Sequence, residues 1–236
     1  MLKFFRPSGG LMYHWRAWRQ GRHWLDFSDS LARWLESWQV PSPHLILIGP
    51  SAGYNLPRSW LAKFQRIEAY DVDPLAARLF ARRHPQVSVT FIKQDMFWIN
   101  GKLSTAALER ALKRYPEASV LFCNVLGQVP LEGKLSAPEW ESYLISLSYT
   151  LRDRRWASFH DTLTVQPLSA SHHAAVHRAM VNSGNIKATL QSLACPADLE
   201  VIDHGLSGPW HGQRETQLLR WTLTPQSLHL IECVRN

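Results

Sequence analysis

The sequence predicts an α/β fold with a doubly wound, mostly parallel seven-stranded sheet, an antiparallel C-terminal hairpin strand and an N-terminal helical extension. Three observations carry this reading. From residue 44 onward, short continuous apolar runs alternate with segments of helical period. Helix-starting and helix-stopping residues punctuate the alternation. After residue 199 strand-like runs take over, the last two of them without a helix between them. With 236 residues, 45% of them hydrophobic, the chain can bury a substantial core.

Residues 1–42 read as a basic, aromatic helical arm and lid, and residues 43–236 as the sheet domain. Lys3, Arg6, Arg16, Arg19 and Arg22 occur in the first 24 residues without an acid, interleaved with Phe4, Phe5, Tyr13, Trp15, Trp18 and Trp24. Such an arm could close over the ligand site as a lid, or bind an anionic substrate by charge and stacking, or be a helix docked on the sheet by its tryptophans with its arginines in water. Gly9 and Gly10 are its hinge in either case. Ser28 or Asp29 then reads as the N-cap of a helix carrying Leu31, Trp34, Leu35 and Trp38 on one face, ended by Pro41 and Pro43.

HLILI (44–48) has the length and composition of a buried strand, and Asn55 with Pro57 opens the next helix, with Trp60, Leu61 and Phe64 on one side. RIEAYD (66–71) is the second strand. Asp73 before Pro74 is an N-cap, and Pro85 stops the helix that follows. SVTFIKQ (88–94) is the third strand, Ser104 caps the next helix, and ASVLFCN (118–124) is the fourth strand. Ser136 and Glu139 form a capping box, WASFH (156–160) is the fifth strand, and residues 170–183 form a helix closed by Gly184. LEVIDHG, TQLLRWTLT and LHLIECV are strand-like, with TPQS as a hairpin turn that leaves an antiparallel strand at the sheet edge.

A formal charge of +7 favours anionic partners. Three separated cysteines without a C-x-x-C pair argue against a disulfide framework or a zinc knuckle. His173 and His177 stand at i, i+4, but the Glu of H-E-x-x-H is missing and no third ligand is evident, so no metal is expected. No apolar stretch reaches spanning length, and the start of the chain lacks a signal-like run, so a cytoplasmic chain with no membrane partner is expected.

In a doubly wound sheet a ligand sits beyond the carboxyl ends of the strands, where GPSAG (49–53) follows the first strand. Gly49 and Gly53 permit close backbone approach. A dinucleotide fingerprint requires glycines at 49, 51 and 54, whereas the chain has Gly49, Ser51 and Tyr54; no Gly-Lys-Ser/Thr follows for a phosphate loop. Asp71 ends the second strand, where a carboxylate accepts from a ribose diol. Asp95 ends the third, placed to accept from an adenine amino group with Met96 packed on the ring. Asn124 ends the fourth and faces the same crevice.

These four strand ends resemble the class I S-adenosylmethionine-dependent methyltransferases: LILIGPSAG as the glycine motif, IEAYDVDP as the ribose motif, FIKQDMF as the adenine motif and FCNVLGQVP after the fourth strand. The resemblance spans about residues 44–164. It implies a Rossmann-like fold and an S-adenosylmethionine cofactor lying across Gly49, Ser51, Gly53, Asp71, Asp95, Met96 and Asn124. It also implies methyl transfer to an acceptor not identified by the residues: RNA, an acidic protein or a small molecule. The chain departs from the family at Leu47, where an acid is usual, and at Ser51, where a glycine is usual. Those departures leave a second reading, a catalytically silent methyltransferase-like module for binding or assembly, with nucleic acid as one partner. A hydroxyl acceptor needs a base, for which His160 and Asp161 at the end of the fifth strand are the candidates. The proline-cysteine pair of cytosine-C5 enzymes and the N/D-P-P-Y signature are absent.

Overall fold

The computed structural model describes residues 10–166, 200–204 and 215–236. Helix α1 (Gly10–Gln20) passes through a 3-10 turn (Gly21–Trp24) into α2 (Leu25–Ser37). There follow β1 (His44–Ile48), α3 (Arg58–Leu61), β2 (Arg66–Asp71), α4 (Ala76–Arg83) and β3 (Val89–Lys93). A small hairpin, β4 (Trp98–Ile99) and β5 (Lys102–Leu103), leads to α5 (Ala106–Arg114) and β6 (Ser119–Cys123). Next come α6 (Val129–Gly133), α7 (Ala137–Thr150) and β7 (Trp156–Gln166), then β8 (Glu200–Asp203), β9 (Glu215–Thr224) and β10 (Ser227–Arg235).

The main sheet runs β3-β2-β1-β6-β7-β10-β9, with β8 paired to β7. Its first five strands are parallel, and β10 is antiparallel to both β7 and β9. The antiparallel strand is therefore one in from the edge, not at it. Burial explains this: seven consecutive residues of β10 are buried, the pattern of a strand covered on both faces, whereas β9 alternates and exposes Gln217, Leu218 and Arg220. The expected fifth strand grows to eleven residues, and beyond the end of β6 its edge is taken by β8, an eighth strand in this sheet.

Side chains of β1 divide the core. Leu45 and Leu47 pack with Trp34, Leu35, Trp60 and Phe80 on one face, and Ile46 and Ile48 with Leu108, Leu112, Leu144 and Leu147 on the other. The capping box at Ser136 and Glu139 is present at the start of α7. Ser28 is not a cap: the 3-10 turn feeds α2 directly, so the helix starts at Leu25 with Trp24 at the cap position, and Ser28 Oγ instead donates to Asn55 Oδ1 at 2.9 Å. Trp24, Phe27 and Leu31 share a core with Leu45, Leu47 and Trp221, which docks the arm on the sheet. The expected helix at 170–183, His173, His177, Cys195, Gly9 and the basic residues before Gly10 lie outside the described residues.

Candidate cofactor crevice

Beyond the carboxyl end of β1 the chain makes a tight loop in which Gly49, Ser51 and Gly53 all have positive φ, at 67°, 49° and 64°. A side chain at Gly49 would place its Cβ 2.0 Å from Val125 Cγ1, and one at Gly53 would meet the Phe80 ring at 2.6 Å. Both glycines are thus required by backbone conformation and by packing. His84, buried under the loop, donates from Nε2 to Gly53 O at 3.0 Å, and burial lowers its pKa.

Asp71 organises this loop. Its Oδ2 accepts from the Ser51 N–H at 2.7 Å and its Oδ1 from the Asp73 N–H at 2.9 Å. Burial raises its pKa above the usual aspartate range, outweighing those two N–H donors. A carboxylate offers about four acceptor positions, so two remain for a ligand diol. Asp95 spends one oxygen, Oδ1, on the N–H groups of Phe97 and Trp98, each at 3.0 Å.

Asn124, at φ 54°, is used differently from expectation. Its Oδ1 accepts from the Asp161 N–H at 2.8 Å and its Nδ2 donates to Asp161 Oδ2 at 3.1 Å, so the side chain braces β7 while the residue still lines the crevice. Gln128 Nε2 donates to the same Asp161 oxygen at 2.6 Å, and His229 Nδ1 to Oδ1 at 2.8 Å. Burial opposes ionisation of Asp161, yet His229, His204 and Asn124 together hold its pKa below the usual value. The pairing of β7 with β10 skips Thr162, a one-residue bulge immediately after Asp161.

A cavity of about 500 Å³ opens over these strand ends. Gly49, Ser51, Gly53, Asp71, Asp95, Met96 and Asn124 all line it. The candidate bases His160 and Asp161 do not line it. Both are buried, His160 between Ser158 Oγ at 2.8 Å and Glu232 at 3.3 Å, and Asp161 in the network above. Cys123 lines the cavity too, but burial pushes its thiol pKa well up, which keeps it neutral.

Part of the arm lines the cavity as well, fastened by contacts that no sequence motif indicated. Tyr13 and Tyr54 line the cavity, and α1 is tied across it through His14. His14 Nε2 donates to Asp73 Oδ2 at 2.8 Å, which leaves Nδ1 of the neutral ring to accept from the Tyr54 hydroxyl at 2.9 Å. Asp73 also accepts from the Leu75 N–H at 2.9 Å in the turn ahead of α4; the helix starts at Ala76 with Leu75 as its N-cap, two residues beyond the expected Asp73, whose second oxygen binds His14 instead. Burial raises the Asp73 pKa, but the His14 and Leu75 donors outweigh it and the net shift is downward. No sequence signal links residue 14 to residues 54 and 73.

No family model matches the chain, and no curated protein matches it in sequence. Among solved structures it is similar to magnesium protoporphyrin IX methyltransferase from Synechocystis PCC 6803 with bound SAM, at 14% identity and a TM-score of 0.43, covering 99% of this chain and 88% of that one. It is also similar to the N-methyltransferase NodS from Bradyrhizobium japonicum WM9 in complex with S-adenosyl-L-homocysteine, at 14% identity and 0.42, covering 99% and 94%. A DhpI-SAM-HEP complex is similar at 13% identity and 0.41, covering 93% of each chain. The strand order, with parallel β3, β2, β1, β6 and β7, an antiparallel β10 and a crevice at the carboxyl ends of the parallel strands, is that of a doubly wound, Rossmann-like sheet.

Proposed function

We propose that the chain binds S-adenosylmethionine in the crevice and transfers its methyl group to an acceptor entering beside α1. The observation that carries this is the convergence of the glycine loop, Asp71, Asp95 and Asn124, from four strand ends, on one cavity. The residues fit the cofactor. Asp71 would keep acceptor capacity for a ribose diol, the second oxygen of Asp95 would accept from an adenine amino group, and Met96 would pack on the ring. The Ser51 hydroxyl is buried without a partner among the described residues, as a ligand-facing group would be.

When bound, the cofactor supplies an activated methyl group on a sulfonium. The protein's work is to align the acceptor and exclude water, which α1 and Tyr13 do by covering the cavity. An amine acceptor needs no more. For a hydroxyl acceptor, the Tyr54–His14–Asp73 chain replaces His160 and Asp161 as the proton sink. Tyr54 passes its proton to His14 Nδ1 as it takes one from the acceptor, and the resulting imidazolium lies against the Asp73 carboxylate.

Calorimetric titration with S-adenosylmethionine and S-adenosylhomocysteine tests the reading. Saturable binding is expected, weakened roughly ten- to a hundredfold by Asp71→Ala. Absence of heat and of thermal stabilisation at millimolar ligand would overturn it, and would favour the silent module.

A further inference from the structure

Helix α1 buries one side and carries large apolar side chains on the other. Gly10, His14 and Ala17 face inward and are buried. The outward side carries Leu11, Trp15 and Trp18 at i, i+4, i+7, with Met12 beside them and Leu25 just beyond. Trp18 is 81% exposed, Leu25 57% and Trp15 48%. Arg19 lies over the Trp15 ring at 4.9 Å, Arg22 is exposed on the following turn, and no acid precedes Asp26. The outward face of a helix on a soluble domain is ordinarily polar. A contiguous apolar patch rimmed by one sign of charge marks an interaction surface.

The chemistry of the patch selects the occupant. In a two-fold pair of copies the same arginines would face each other across the contact. Single-stranded nucleic acid would engage the arginines and tryptophans but has no use for Leu11, Met12 and Leu25, which offer no π face. An anionic bilayer uses every member: tryptophans at the interface, aliphatic side chains at the acyl boundary, guanidinium groups on lipid phosphates. We infer that the outer face of α1 docks on an anionic phospholipid surface as an interfacial helix. The expectation of no membrane partner rested on the lack of a spanning segment, and no helix among the described residues is long and apolar enough to cross a membrane. A helix lying in the interface needs no such length. Gly10 and Tyr13 of the same helix line the cavity, so docking brings the cavity mouth to the lipid surface.

The test uses the full chain and two kinds of vesicle, phosphatidylcholine alone and phosphatidylcholine with one part in three phosphatidylglycerol. Co-sedimentation with the anionic vesicles is expected, with a blue shift of tryptophan emission and weakening as salt rises. Trp15→Ser/Trp18→Ser and Arg19→Glu/Arg22→Glu variants, all at exposed positions, are expected to keep the wild-type melting temperature and to bind at least about fivefold more weakly. Absence of binding, equal binding to neutral vesicles, or variants that bind like wild type overturn the inference. So does polyuridylate RNA bound through the same tryptophans more tightly than the vesicles. None of these outcomes depends on whether the crevice binds its cofactor.

Discussion

Ser51 carries two costs at one residue: a left-handed backbone conformation without being glycine, and a buried hydroxyl with no partner among the described residues. Each is worth on the order of 1–2 kcal/mol, and such strain persists at sites where it serves a ligand. Ser51→Gly is therefore expected to raise unfolding stability by about 1–2 kcal/mol in urea titration while weakening cofactor binding roughly tenfold. A variant that gains stability with unchanged affinity would make the hydroxyl a bystander. Asp71 sets a pH dependence. Its raised pKa means the carboxylate is lost at higher pH than an ordinary aspartate, so cofactor affinity should begin to fall above about pH 4 on acidification. Protonation at a raised value favours the folded state, so this decline belongs to binding and not to unfolding. Asp71→Asn should flatten it.

At the scale of elements, α1 is held to the sheet domain by a two-sided hydrogen bond from one imidazole. His14→Ala removes the link to both Tyr54 and Asp73 and leaves a buried carboxylate oxygen short of a donor. The expected result is faster amide hydrogen exchange in α1 than in β1, and cofactor affinity reduced by roughly tenfold. The packing of Trp24, Phe27 and Leu31 stays intact, so α2 should keep its protection. Equal exchange in wild type and variant would show that packing alone holds the lid. In β7, the bulge after Asp161 lets one strand brace Asn124 and Gln128 on the crevice side while continuing its ladder with β10.

Across the whole molecule, the Asp161 network joins β6, α6, β7, β8 and β10. His204, just after β8, donates from Nδ1 to Gly127 O at 2.9 Å and accepts from Thr164 Oγ1 at 2.9 Å, and Thr164 lies 3.2 Å from His229 Nδ1. Because the Asp161 pKa is depressed on folding, its stabilisation is present above the ordinary aspartate range and lost as pH falls through the folded value. Urea midpoints should therefore drop below about pH 4, and Asp161→Asn should cost about 3–5 kcal/mol at neutral pH and reduce that acid dependence. An unchanged midpoint in the variant would show that the network contributes no net stability.

The order of elements was readable from the chain because local chemistry specifies it. HLILI and RIEAYD became strands with the bounds that their composition indicates, and the Ser136–Glu139 box starts α7 as its spacing requires. The crevice-lining residues were readable for the same reason, since in a parallel sheet they recur at successive strand ends. The position of β10 inside the sheet, the bulge at Thr162 and the brace on Asn124 depend on partners 37 or more residues away, and no local pattern encodes such pairings. The Tyr54–His14–Asp73 bridge spans 40 and 59 residues. By itself the sequence determined the layers and the glycine crevice, through periodicity and capping. Only the tertiary structure decided which histidine ties α1 to the loops beside that crevice, because burial and hydrogen-bond partners are settled when distant segments pack together.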